Sequence, residues 1–152
     1  MSDSYHSKAW LLDGPIHSLP GLLSYDATTD RLCFRVLESG TFSNARLTEL
    51  FTACGHAPEP GSPPPLPATL FDLARTELRG FRMPWYYFGG GAILDLGFST
   101  GPLRFAFIKP QNTVWPSAYN EDLREWVGGE GQAEVKVNEG KTAGRHWRTL
   151  LA

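Results

Sequence analysis

The sequence predicts a mainly β, α+β domain, and three observations carry that prediction. In residues 31–37 Leu32, Phe34 and Val36 alternate with Arg31, Cys33, Arg35 and Leu37, and after them Leu103, Phe105 and Phe107 alternate with Arg104, Ala106 and Ile108, the period of two of a strand with one buried and one wetter face. Sixteen Gly and twelve Pro punctuate the 152 residues, so the chain turns often. Residues 81–109 then gather four consecutive aromatics, three consecutive glycines and two apolar runs into one short stretch. The hydrophobic fraction of 41% is that of a globular chain, and the length fits one domain with a sizeable core.

Taken in order, residues 1–9 are polar and read as a frayed, flexible end, with a single domain over 10–152. Trp10, Leu11 and Leu12 make a short apolar entry. Asp13-Gly14-Pro15 and then Pro20-Gly21 read as turns. Residues 22–25 and 31–37 read as a first hairpin closed by the polar turn DATTD at 26–30. Leu32, Phe34 and Val36 share one face, and Arg31, Cys33, Arg35 and Leu37 the other. Leu47, Leu50, Phe51 and Cys54 fall at helical spacing, with Ser43 or Asn44 as cap and Gly55 as stop. Residues 55–67 hold six prolines and exclude both helix and central strand, so they read as a stiff surface loop.

Residues 69–74 predict a strand. Residues 92–96 and 103–108 predict a second hairpin joined by FSTG, with Leu103, Phe105 and Phe107 toward the core. Asn120 can cap a short helix, EDLREWV. Residues 134–137 make a weak segment. The stretch 141–152 has a helical pattern with Thr142 as cap and Ala143, Trp147, Leu150 and Leu151 on one face.

The charge excludes little. At −2 overall the chain has no general attraction for nucleic acid or anionic membrane. Two cysteines without a CxxC pair, and four scattered histidines, argue against a metal site, and no cofactor motif is present. The amino-terminal residues lack an apolar signal core, which points to a cytoplasmic protein. Gly89-Gly90-Gly91 lacks the Lys-Ser/Thr of a phosphate-binding loop and reads as a tight corner. Cys54 and His56 are too close in sequence to expect the geometry of a catalytic pair, so the reading is non-enzymatic. Consecutive aromatics on a strand alternate faces. Two of Trp85, Tyr86, Tyr87 and Phe88 therefore face away from whichever face takes the other two, and at least two belong to the core. Those left exposed, with Arg82 as the only charge beside them, are the candidate binding residues.

Leu70-Phe71-Asp72-Leu73, the run from Pro84 through Trp85, Tyr86, Tyr87 and Phe88 to Gly91, and Gly144-Arg145-His146-Trp147 are similar to the signature of bacterial, especially actinobacterial, GRAM-like proteins, a family without an assigned function. With the hairpin order, the whole of residues 10–152 resembles the GRAM-like branch of the pleckstrin-homology (PH) superfold. That resemblance implies a partly open barrel of about seven antiparallel strands capped by a carboxy-terminal helix, with residues 43–67 inserted. It implies binding and not catalysis, and the first expectation is a protein or peptide partner, the alternatives being a peripheral lipid-binding module and a small-molecule carrier or enzyme that uses the barrel interior. Relatives that bind phosphoinositides use a basic first-hairpin loop. Here that loop reads DATTD, acidic and flanked only by Arg31, which argues against such a site. The sequence sets no oligomeric state.

Overall fold

The computed structural model describes residues 4–14, 17–56, 63–85, 89–98, 101–108 and 130–151, with residues 130–137 described by their backbone alone. Among these residues seven strands form one antiparallel sheet: β1 (Tyr5–Asp13), β2 (His17–Asp26), β3 (Arg31–Val36), β4 (Ala68–Ala74), β5 (Gly80–Arg82), β6 (Gly91–Asp95) and β7 (Leu103–Ala106). Their order is β4-β3-β2-β1-β7-β6-β5, so β1 joins a four-stranded meander to a three-stranded one. The sheet does not close, and β4 and β5 are its edges among the described residues. Among the described residues two α-helices accompany the sheet, α1 (Asn44–Ala53) between β3 and β4, and α2 (Glu130–Leu151).

Alternation drives the sheet as expected. Leu32, Phe34 and Val36 of β3 are buried while Arg31 and Arg35 are exposed. Leu103, Phe105 and Phe107 are buried in the same core, where the Phe34 and Phe105 rings meet edge-on at 4.9 Å. Leu47, Leu50 and Phe51 of α1 join that core, and so do Ala143, Trp147 and Leu151 of α2. Burying each large side chain contributes about 1.5–3 kcal/mol, so this inner face holds most of the stability. Ser43 caps α1, its side-chain oxygen accepting from the Arg46 backbone N–H at 3.1 Å.

Four expectations are corrected. The stretch read as a frayed end supplies half of β1, which pairs with β2 from Tyr5↔Tyr25 to Asp13↔His17. The first hairpin is therefore β1–β2, and DATTD closes the second. Pro20-Gly21 lies inside β2 and makes no turn. The Pro20 carbonyl accepts from Leu37 N at 3.0 Å, so the nitrogen of Pro20 faces the same edge, just past the point where the β2–β3 ladder stops at Gly21↔Val36. The missing N–H thus takes nothing from the β1 pairing. Gly21 suits its place because a Cβ there would meet the Phe34 ring and the Arg35 carbonyl at 2.5 Å. Finally, the last helix begins at Glu130, and Thr142 is interior, its hydroxyl donating to the Asn138 carbonyl at 2.9 Å.

The helix expected over EDLREWV, the central part of the proline-rich loop at 57–62, and Tyr86, Tyr87 and Phe88 lie outside the described residues. No helix among the described residues is long and apolar enough to cross a membrane.

Candidate functional site

β5 is short and paired on one side. Gly80, Phe81 and Arg82 face Asp95, Leu94 and Ile93 of β6, and no strand covers the other edge among the described residues. Pro84 ends it, because proline has no N–H to continue a ladder and holds the residue before it extended. Trp85 follows at 80% exposure, the only large hydrophobic so exposed among the described residues. Arg82 is exposed as well. Gly89 then takes φ +80° and turns the chain into β6, which is the corner the glycine run predicted. Of the candidate binding residues, the structure thus places Arg82 and Trp85 together on the surface beside a strand edge.

The second half of α2 runs past this edge. A Cβ on Gly144 would collide with the Gly89 carbonyl and stand 3.0 Å from the Met83 terminal methyl. One turn earlier, a Cβ on Gly140 would clash with the Ile108 side chain and the Phe107 carbonyl. At the far end, the Arg75 guanidinium donates to the Leu150 carbonyl at 3.5 Å. Segment 75–83 is therefore flanked by helix residues 141–150. The helix is fixed from the opposite side by β1, where the Trp147 indole donates to the Ser7 hydroxyl at 2.8 Å. The Tyr5 ring stacks on His146 at 3.7 Å and meets Trp147 edge-on at 5.1 Å. Burial raises the Tyr5 hydroxyl pKa above its usual value.

Comparisons with protein-family models, curated proteins and solved structures find no match. Function must therefore be read from the residues alone.

A second feature is a cleft of about 240 Å³ lined by Asp13 and Gly14 of the first hairpin, Arg46 and Leu50 of α1, and Leu103 and Arg104 of β7. Its cations are already engaged. Arg46 bonds Asp13 at 2.7 Å and Glu49 at 3.4 Å, and Arg104 donates to the Gly14 carbonyl at 3.3 Å. The hydrogen bond from Arg46 holds the Asp13 carboxyl below its usual 3.8. A depressed folded-state value stabilises the fold above the unfolded value, and that contribution disappears as the pH falls through the folded one. Asp13→Asn is expected to cost at most about 1 kcal/mol at neutral pH, the range of a solvent-screened pair. It should also flatten the loss of stability below about pH 4. Urea titrations at several pH values read both, and an unchanged acid limb would show that the pair contributes nothing.

Other candidate chemistry is not assembled. Burial pushes the Cys54 thiol up to about 12, so the thiolate that a nucleophile needs is absent near neutrality. The His56 Nε2–H is committed to the Leu70 carbonyl at 2.7 Å. Burial also raises the Cys33 thiol pKa. His6, His17 and His146 are exposed. Among the described residues no three His, Cys, Asp or Glu side chains group closely enough to hold a metal.

Sequence reasoning missed two things. It took Arg82 as the only charge near the aromatic run, whereas Lys141 of α2 has its side chain about 4.0 Å from where a Cβ on Gly89 would stand. It also missed the convergence of Arg46 and Arg104 on one cleft. The first had a readable signal in the spacing of Gly140 and Gly144, since two glycines four apart on a helix let a neighbouring backbone approach closely.

Proposed function

We propose that the protein is a non-catalytic, cytoplasmic, PH/GRAM-like binding module that engages a protein or peptide at the β5 edge. The strand order, the open sheet and the long final helix packed against it support the PH/GRAM-like reading. The observation that carries the binding reading is Trp85, a large aromatic at 80% exposure three residues beyond an edge strand. An edge offers unpaired backbone groups to an incoming strand. An aromatic beside it supplies the kind of anchor that dominates binding energy at interfaces. The inner face is filled by Leu23, Phe34, Phe71 and Phe105, which favours a surface site over a ligand carried inside. A headgroup in the Arg46–Arg104 cleft is less favoured, because both guanidinium groups already have protein partners.

Selection of a random-peptide display library on the protein tests this reading. Enriched peptides are expected to lose roughly 30-fold or more in affinity to Trp85→Ala, the size of an interface hot spot. The melting temperature should barely move, since an exposed side chain contributes little to folding. Peptides that bind the variant as tightly as the parent would place the site elsewhere.

A further inference from the structure

The whole chain is slightly acidic, at −2, yet the two segments that flank the candidate edge are not. Residues 75–83 and 139–151 together carry six basic and two acidic residues, which makes this the cationic side of an otherwise anionic protein. Arg75 and Arg145 have local partners: Arg75 meets Asp30 at 3.5 Å and Arg145 donates to the Thr142 hydroxyl at 3.2 Å. Arg79, Arg82, Lys141 and Arg148 form no side-chain ion pair among the described residues. Of the two acids, Glu77 is occupied with the Ala74 backbone N–H at 3.1 Å.

Arg82 stands on one face of β5, and α2, which carries Lys141, Arg145 and Arg148, packs toward the other. Arg82 stands opposite Ile93, which stands opposite Arg104, so Arg82 is on the sheet face turned away from the core. Phe81 packs against the core on the other face, the face that Trp147 and Leu151 of α2 help to cover. Lys141 reaches Gly89 with its side chain, and Arg145 and Arg148 are exposed on the following turns. The Arg79 guanidinium lies over Gly97, 2.8 Å from where a Cβ would stand.

Side chains of a strand added to β5 would alternate between these two faces and meet cations on either side. Resting on the edge reading above, we infer that the edge takes an acidic extended peptide, with carboxylates on both faces and an apolar or aromatic residue against Trp85. One exposed ion pair contributes little, but a set of charges of one sign steers and selects an oppositely charged partner. A strand edge favours a peptide over an anionic bilayer, which has no backbone to pair with it.

The enriched display peptides supply the probe. They are expected to be net negative, and their affinity should fall by about tenfold or more in high salt and in the Arg82→Glu/Arg148→Glu double variant. Arg82→Ala and Arg148→Ala singly should give smaller losses in the same direction, which keeps the test valid if the double variant melts early. Trp85-dependent peptides that are neutral or basic, or acidic ones indifferent to the reversal, would overturn the acidic preference and leave the edge reading standing. If no enriched peptide depends on Trp85, both fall. Phosphatidylserine vesicles that bind the parent and not the reversed variant, with no peptide enriched, would assign the surface to a membrane and overturn the inference.

Discussion

Trp147→Ala is expected to lower the unfolding free energy by about 3–5 kcal/mol, the range for truncating a fully buried aromatic. The side chain is the largest that is fully buried among the described residues, at 0% exposure. It holds α2 to β1 through the Ser7 hydroxyl and through the Tyr5 ring. Truncation removes that apolar area and opens a cavity between helix and sheet, and the two costs add. For a chain of this size the melting temperature should drop by roughly 10 °C. Trp147→Phe separates the contributions, since it keeps most of the ring and loses the hydrogen bond, at about 1–2 kcal/mol. Urea unfolding followed by far-ultraviolet circular dichroism measures all three proteins. A loss below about 1 kcal/mol for the alanine variant would mean that the helix does not depend on this contact.

Gly144→Ala sets two principles against each other. In a helix interior, alanine is favoured over glycine by about 1 kcal/mol, so propensity alone predicts a gain. Packing predicts the opposite. The added methyl meets the Gly89 carbonyl, which is backbone at a corner with φ +80°, and the Met83 methyl, which alone can move aside. Overpacking of this kind costs about 1–3 kcal/mol and, where backbone must shift, exceeds the propensity gain. We expect a net loss of about 2 kcal/mol, read in the same urea titrations. A stabilised variant would show that the Gly89 corner yields to the methyl at little cost.

The parts of the fold that were legible are those where local pattern and tertiary role agree. β3 alternates because one of its faces is buried along its whole length, and α1 shows its stripe because Leu47, Leu50 and Phe51 all point to one core. β1 was hidden because both of its faces hold buried residues. Ala9 and Leu11 belong to the main core, while Trp10 forms a second cluster with Leu37, so polar-apolar alternation is blurred. Pro20-Gly21 was misread because its usual meaning as a turn is local, whereas its tolerance here depends on where the neighbouring ladder ends. α2 was clipped because its glycines, poor helix formers taken singly, are what allow the sheet to come close.

The site was legible by half. The aromatic run announced that some large rings would remain outside, but not which, because that depends on where the corner at Gly89 directs the chain. The charge around it was not legible, since Arg82 and Arg148 lie far apart in sequence and only the docking of α2 brings their segments together.

The bond from Trp147 to Ser7 joins residues 140 apart along the chain. Closing so long a loop costs only slightly more than closing a moderate one, because the entropy penalty grows logarithmically. Its weight falls on timing. A helix interrupted by Gly131, Gly140 and Gly144 has little tendency to form alone, so α2 becomes stable only after β1 has taken its place in the sheet. Much of the pairing between distant strands must come first, which places folding among the slower, topology-limited domains. The same order reversed makes α2 the first element to detach when the native state opens, so its amides should exchange with solvent ahead of those in the β1–β2 ladder.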